Sequence, residues 1–144
     1  MKCRVEKSKI NGEIICPPNK SYTHRAIFLA TLADGKSIIK NILKSGDTYS
    51  TINACKNFGA EIKDVGNDIT VNSTGELKLQ SDTIDAANSG TTIRIATAIS
   101  TLSSDKIVLT GDSSLKKRPM QPLLDALESL DAKCSSSNGN PPIS

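Results

Sequence analysis

Aromatic residues are scarce in this sequence of 144 residues, which contains no tryptophan, two tyrosines and two phenylalanines. Proteins that bind single-stranded nucleic acid stack the bases on aromatic rings, so this composition argues against such a partner. The formal net charge is only +3, and acidic residues are interspersed with basic ones, so a general polyanion partner is not indicated either. We expect a core of isoleucine, leucine, alanine and valine.

Cysteine pairs and long apolar runs are also missing. The four cysteines form no C-x-x-C pair, and His24 is the one histidine. This pattern supports neither a zinc site nor a redox motif, and it favours buried free thiols. The longest apolar run, at 26–33, is too short to cross a bilayer, and the N-terminus has no signal-peptide core. We therefore expect a soluble, reduced, cytoplasmic protein with no membrane partner and no metal or other cofactor.

The length matches one domain of ordinary size. Hydrophobic periodicity and turn residues divide it into alternating strands and helices. The pair Asn11-Gly12 predicts a hairpin between strands at 2–5 and 13–16, and Ser21 is predicted to cap the first helix, which Asp34-Gly35 ends. The other predicted elements are a strand at 38–43, a helix at 47–58, a hairpin at 61–65 and 68–72, a short segment at 77–79, a helix at 89–102, a strand at 106–109, a helix at 120–130 and a strand at 133–135.

The predicted elements repeat along the chain with a period of roughly 65–70 residues, far longer than that of a solenoid. The stretch at 57–62 corresponds to the one at 129–134. The helix that begins near Lys20-Ser21 corresponds to the helix that begins near 88–91. Two equivalent helix N-termini are therefore expected to face one common site.

A helix N-terminus presents unpaired backbone N–H groups and the positive end of the helix dipole, so it binds phosphate or carboxylate groups readily. At the first such terminus, Lys20 adds a point charge and Ser21 a hydroxyl. Arg25, one turn later, adds a guanidinium that can grip an oxyanion in two places. The alternative is that Ser21 only caps the helix and that the cations are surface charges, and the spacing alone leaves both interpretations open.

The second helix start offers a different set of groups. Gly90 lets a ligand approach the backbone closely, and Asn88 places an amide beside it. Arg94 lies deeper in the helix, where it can pair with an acid instead. Arg118 ends a run of three cations just before Pro119 and can reach a third anion, although such a run is more often a solvated turn.

Several familiar catalytic patterns do not occur. The sequence has no P-loop, no dinucleotide-binding glycine fingerprint, no G-x-S-x-G motif and no clustered metal ligands. Asp47, Asp82 and Asp85 are the obvious carboxylates near these loops, and helix capping explains them at least as well as acid or base work. Anion binding is the chemistry that these residues favour.

Three stretches, taken in order, resemble the signatures of the 5-enolpyruvylshikimate-3-phosphate synthase family. They are Pro-Asn-Lys-Ser-Tyr-Thr-His-Arg-Ala at 18–26, Asn-Ser-Gly-Thr-Thr-Ile-Arg at 88–94 and Leu-Lys-Lys-Arg-Pro-Met at 115–120. The resemblance covers essentially the whole chain, and three ordered motifs are far more specific than one. It implies an α/β fold that is part of an inverse α/β barrel built from repeated βαβαββ units.

The resemblance also implies a carboxyvinyl transferase of the shikimate pathway to chorismate and the aromatic amino acids. Such an enzyme transfers the enolpyruvyl group of phosphoenolpyruvate to the 5-hydroxyl of shikimate 3-phosphate and releases phosphate without a metal. Its partners are these two small molecules, with no nucleic acid and no membrane, and full-length members are usually monomeric. By the same resemblance, Lys20 is catalytic and contacts both substrates. The shikimate 3-phosphate site then adds Ser21 and Arg25, and the phosphoenolpyruvate site adds Asn88, Gly90 and Arg118.

Two alternatives remain at this point. The related transferase that acts on UDP-N-acetylglucosamine typically has Lys-Asn where this chain has Lys20-Ser21, and it commonly has a reactive cysteine in the loop that corresponds to 113–115. No cysteine occurs in that loop here, so this activity is less favoured. The other alternative is a non-catalytic module that binds a phosphorylated ligand.

Members of the family are much longer than this chain and have two domains. We expect residues 1–17 to form a hairpin that packs with the second domain. We expect residues 18–144 to form two repeated units of an incomplete substrate-binding domain. The chain is then a truncated half-site, and we expect it to be inactive by itself.

Overall fold

A computed structural model of the protein describes residues 2–144, which form a mixed α/β structure with short connections. In chain order, the elements are α1 (Lys20–Leu32), β1 (Asp34–Ile39), α2 (Gly46–Asn57), β2 (Glu61–Val65), β3 (Asp68–Thr74), β4 (Thr83–Asp85), α3 (Gly90–Ser100), β5 (Val108–Thr110), a 3-10 turn (Leu115–Lys117), α4 (Gln121–Glu128), β6 (Ser136–Ser137) and β7 (Asn140–Ile143).

The first three helices each begin at a polar side chain that accepts a hydrogen bond from a backbone N–H of the first turn. These caps are Asn19 for α1, Ser45 for α2 and Ser89 for α3. The prediction that Ser21 caps α1 is wrong, because the backbone is already helical at Lys20. Asn19 is an equally strong capping residue, and it lies directly before the first helical residue.

The strands form two sheets with the same connectivity. In the first, β3 lies between β1 and β2, and all pairs are antiparallel. In the second, the order is β4-β5-β7-β6, with β4 parallel to β5 and the other pairs antiparallel. Thus β5, β6 and β7 correspond to β1, β2 and β3. The second unit is a complete βαβαββ unit, and the first follows the same order from α1 onward, which confirms the predicted repeat.

One hydrophobic core joins the two units. Helices α1, α2 and α3 contact one another, and α1 packs on β3 while α3 packs on β5. The core is largely aliphatic, as expected. Its largest fully buried side chains come from both units and include Phe58, Ile27, Ile69, Ile93 and Leu109.

The predicted N-terminal hairpin is wrong, because residues 2–19 form neither helix nor strand. Val5, Ile10, Ile14 and Ile15 are each at least 86% exposed. A two-stranded hairpin is marginal unless one face is covered, and no described residue covers this one. The packing of this segment against a second domain stays a prediction.

The other elements fall close to the predicted positions. The helices at 47–58 and 89–102 and the hairpin at 61–72 are confirmed. The strand expected at 38–43 instead spans Asp34–Ile39, because the chain passes from α1 into β1 after one residue, and the strand expected at 133–135 falls at Ser136–Ser137. The three-residue strand β4 was not predicted.

The thiols are not all buried. Cys55 lies in the core, Cys134 is half-buried, and Cys3 and Cys16 are exposed. The expectation of buried thiols was therefore wrong for the two N-terminal cysteines, because both lie in the segment that forms no sheet.

The fold makes a matched prediction for two isoleucines on neighbouring strands. Ile69 on β3 is fully buried. Ile38 on β1 is 60% exposed, and it pairs with Thr70, which follows Ile69 on β3. Ile69→Val is expected to lower the free energy of unfolding by about 0.5–1.5 kcal/mol, because it removes one buried methylene group. Ile38→Val should have almost no effect. Urea titration of both variants measures the difference, and equal losses would contradict the assignment of the buried face.

Candidate anion-binding site

The N-termini of α1, α2 and α3 lie side by side. Lys20, the first residue of α1, places Nζ 2.8 Å from Oδ2 of Asp47, the second residue of α2. Thr92, the third residue of α3, places Oγ1 3.4 Å from the backbone oxygen of Asp47. The positive ends of three helix dipoles therefore converge on one region, where they favour bound anions.

The first group of predicted residues, here called the Lys20 cluster, consists of Lys20, Ser21 and Arg25. All three are exposed at the start of α1. The Arg25 guanidinium lies over the ring of Tyr22, 5.0 Å from its centroid, so it is held at the surface by a cation–π contact. The structure thus places three anion-binding groups on the first two turns of one helix.

The second group, here called the Arg118 cluster, consists of Asn88, Gly90 and Arg118. Nη2 of Arg118 donates to Oδ1 of Asn88 at 2.6 Å. Nη1 lies 2.7 Å from the position that a Cβ atom would occupy at residue 90. The guanidinium therefore lies directly against the start of α3, in space that exists because residue 90 has no side chain.

Arg94 contacts the loop that carries Arg118. Its Nη2 donates to the backbone oxygen of Pro119 at 2.8 Å, so it holds the loop that carries Arg118. This contact differs from the pairing with an acid that the sequence left open. Arg94 is a supporting residue in this structure.

A row of buried polar side chains, here called the His24 network, runs behind the two clusters. Nδ1 of His24 lies 2.6 Å from Oγ1 of Thr51, which lies 2.7 Å from Oγ1 of Thr92. Thr92 in turn donates to Oγ of Ser89 at 2.7 Å. From the sequence, His24 stood out only as a histidine without metal-binding companions. The signal that could have found it is its position on the buried side of α1, one turn before Ile27 and Phe28.

The three candidate carboxylates have different surroundings. Asp85 accepts from the backbone N–H of Ala87 at 2.8 Å, and Asp82 accepts from the Thr83 hydroxyl at 3.0 Å. These are local contacts outside the helices, so the helix-capping interpretation is wrong for Asp82 and Asp85, because Ser89 caps α3. Asp47 alone of the three lies among the helix N-termini, where it pairs with Lys20.

Other parts of the described chain offer no rival chemistry of the classes considered above. Within residues 2–144, no group of three or more His, Cys, Asp or Glu side chains is arranged to hold a metal ion. Burial raises the pKa of the Cys55 thiol to about 12, so this thiol stays protonated and unreactive. No helix in the same range has the length and apolar character needed to span a membrane.

A cavity of about 550 Å³ lies at the other end of α3, lined by residues such as Ser100, Thr101 and Ile143. The two cationic clusters lie at the opposite end of α3, where Lys20, Arg25 and Arg118 are exposed. Exposed cations beside helix N-termini are suited to bind anionic ligands.

The repeated βαβαββ unit and the helix N-termini that meet beside Asp47 define an α/β protein with a candidate site for anions. The family model described as EPSP synthase (3-phosphoshikimate 1-carboxyvinyltransferase) matches residues 5–144. The chain belongs to that family.

Curated relatives and solved structures agree with this assignment. A 3-phosphoshikimate 1-carboxyvinyltransferase from Nitrosopumilus maritimus is 57% identical over 143 residues, which cover 99% of this chain and 34% of the relative. One from Methanothermobacter thermautotrophicus is 50% identical and is covered to 35%. The EPSP synthase structure from Acinetobacter baumannii has a TM-score of 0.80 at 29% identity, over 92% of this chain and 31% of that one. The chain thus spans about a third of the length of these proteins.

The surroundings of His24 predict how it titrates. Burial lowers the pKa of His24 from its ordinary value of 6.5; Asp47 opposes this shift and Lys20 adds to it. At a pH just below 6.5, the ring in the native protein is therefore expected to stay neutral, whereas the ring in the unfolded protein already binds a proton. The free energy of unfolding should then fall as the pH drops below about 6.5, because the unfolded state gains the proton first.

Because His24 is the one histidine, its ring protons can be followed directly by NMR. We expect a native midpoint below 6.5, and a midpoint near the ordinary value when the same protein is unfolded in urea. Equal midpoints in the two states would contradict the buried, neutral ring.

Proposed function

We propose that this chain supplies the substrate-binding face of an enzyme that transfers the enolpyruvyl group from phosphoenolpyruvate to the 5-hydroxyl of shikimate 3-phosphate. The observation that carries the proposal is the convergence of three helix N-termini, with Lys20 on one side and Arg118 on the other. Both substrates are anions that carry a phosphate, and phosphoenolpyruvate adds a carboxylate. The two cationic clusters match that chemistry, and family membership supports it.

The Lys20 cluster is assigned to shikimate 3-phosphate. The Ser21 hydroxyl and the Arg25 guanidinium can both donate to its phosphate, and the guanidinium can do so through two N–H groups. Lys20 lies nearest the junction with α2 and α3, because its partner Asp47 also contacts Thr92. It is therefore assigned to both substrates, and it must release Asp47 to some degree when an anion binds.

The Arg118 cluster is assigned to phosphoenolpyruvate. The backbone N–H groups at the start of α3 have no partner within the helix, and the missing side chain at Gly90 opens them to a ligand. The Arg118 guanidinium and the Asn88 amide complete a set of donors around one anion. Asn88 now accepts a bond from Arg118, so its amide N–H₂ group stays available to a ligand.

The reaction is an addition followed by an elimination. The 5-hydroxyl oxygen adds to C2 of phosphoenolpyruvate and loses its proton to a base, while C3 gains a proton from an acid, which gives a tetrahedral intermediate. Loss of phosphate from C2 and of a proton from C3 then restores the double bond. Fixed cations and N–H dipoles lower the barrier by stabilising the charge that develops on the phosphate oxygens, and Lys20 is assigned to this task.

The wider setting follows from the same proposal. The reaction belongs to the shikimate pathway, and we assign it to the cytoplasm and to a parent enzyme that is a monomer. The present chain covers about a third of its relatives, and Asp47, the one candidate carboxylate among its helix N-termini, is held by Lys20. The acid and base of the reaction are therefore assigned to residues outside these 144.

The proposal predicts how calorimetric titration with shikimate 3-phosphate responds to loss of single cations. Lys20→Ala and Arg25→Ala should each weaken binding by about 10- to 100-fold, because each removes a hydrogen bond to a charged group. Lys36→Ala is the matched control, since it removes one exposed positive charge from β1. Unchanged affinity in the Lys20 and Arg25 variants would favour the account in which these residues are only surface charges.

The same proposal predicts that the chain alone does not turn over its substrates. Phosphate release from a mixture of phosphoenolpyruvate and shikimate 3-phosphate should stay at the uncatalysed rate, because one face can neither exclude water nor hold both reactants in line. Release at enzymatic rates would show that residues 1–144 contain the acid and base, and the assignment above would then be wrong.

A further inference from the structure

The His24 network consists of four polar side chains that are buried between α1, α2 and α3. His24, Thr51, Ser89 and Thr92 each have no exposed surface. They come from three helices or their caps, and each is within 2.7 Å of the next. Valine can replace threonine without changing its shape, so packing alone does not require the hydroxyl groups. Buried polar side chains that hydrogen-bond to one another favour one arrangement of the elements that they join.

The hydrogen bonds of this network run in one direction. The Thr92 hydroxyl donates to Oγ of Ser89 at 2.7 Å, with the backbone oxygen of Asp47 at 3.4 Å as its other acceptor. A hydroxyl has a single proton, so at the contact between Thr51 and Thr92 the donor must be Thr51. By the same reasoning, Nδ1–H of His24 donates to Thr51. A neutral His24 ring then carries its lone pair on Nε2, which has no partner among residues 2–144.

The network ends at the residue that starts α3. Oγ of Ser89 also accepts from the backbone N–H of Thr92 and so caps the helix. Ser89 lies between Asn88 and Gly90, which belong to the Arg118 cluster. At its other end, His24 lies one turn after Lys20 on α1. The network therefore connects the helix that carries one cluster to the cap that carries the other.

We propose that the His24 network is a positioning device that fixes the Arg118 cluster relative to the Lys20 cluster, through a directed row of hydrogen bonds from His24 to Ser89. This inference rests on the proposed function, because it assigns the two clusters to two ligands that must meet. None of the four side chains needs to touch a substrate. Their effect is on the spacing between two binding sites, which governs how well the second ligand binds once the first is in place.

The first test is spectroscopic and needs no ligand. In the 144-residue chain labelled with ¹⁵N, the single imidazole should show a protonated Nδ1 and a bare Nε2 at a pH where the ring is neutral. Thr92→Val removes the acceptor for Thr51, so the Thr51 proton can turn toward Nδ1 and shift the ring to the other tautomer. Thr92→Ser keeps the hydroxyl and should preserve the original form. A bare Nδ1 in the unsubstituted chain, or no response to Thr92→Val, would overturn the directed network.

The second test measures the effect on the two ligands separately by calorimetry. Thr92→Val should leave the affinity for shikimate 3-phosphate alone within about twofold, and should weaken phosphoenolpyruvate binding in the presence of saturating shikimate 3-phosphate by about tenfold. Thr92→Ser should restore it. General loss of stability would weaken both ligands alike, and unchanged phosphoenolpyruvate binding in Thr92→Val would overturn the positioning role. If the unsubstituted chain binds neither ligand, the proposed function fails and takes the positioning role with it, whereas the tautomer test still decides whether the network exists.

Discussion

The alignment of three helix N-termini is the constraint on which the rest of the structure depends. Their dipoles and unpaired N–H groups repel one another when no anion is present, so holding them together has an electrostatic cost. Asp47 offsets part of this cost at the surface, where it pairs with Lys20. The His24 network joins the three helices by hydrogen bonds in the interior. The repeated sheets contribute by holding α1 and α3 in equivalent positions. A surface that attracts anions follows from this geometry.

Most of the arginine and lysine groups at the site already have partners in the free protein. Lys20 is held by Asp47, Arg118 by Asn88, and Arg25 by the face of Tyr22. Long cationic side chains lose considerable rotamer freedom when they grip a ligand, and side chains that are already ordered lose less. Under the proposed function, these contacts prepare the site for binding, at the expense of the ion pair between Lys20 and Asp47 that a ligand displaces.

Much of the fold could be predicted from local signals in the sequence. Features that depend on residues distant in the sequence could not be predicted. The helices at 46–57 and 90–100 follow from their capping serines and apolar spacing, and the hairpin of β2 and β3 follows from its turn at Gly66-Asn67. The turn signal at Asn11-Gly12 is just as strong, but residues 2–19 form no strand, and no sheet neighbour within residues 2–144 covers them. The contact between Arg118 and Gly90 could not be read from either residue, because it requires a loop to fold back over the start of α3. The His24 network was missed for the same reason, since its members are spread over 69 positions from His24 to Thr92.

Gly90 is a position where helix stability and the proposed ligand binding make opposite demands. Its backbone does not adopt the left-handed conformation that requires glycine, and replacing glycine by alanine at such a position generally stabilises a protein by about 0.4–1 kcal/mol, because it restricts the unfolded chain. Gly90→Ala would therefore be expected to stabilise α3 if no other residue were affected. The added methyl group would meet Nη1 of Arg118 and drive the guanidinium away from the helix start. Glycine at this position thus gives a weaker first turn and keeps Arg118 in place, and under the proposed function this is a local conflict between stability and activity.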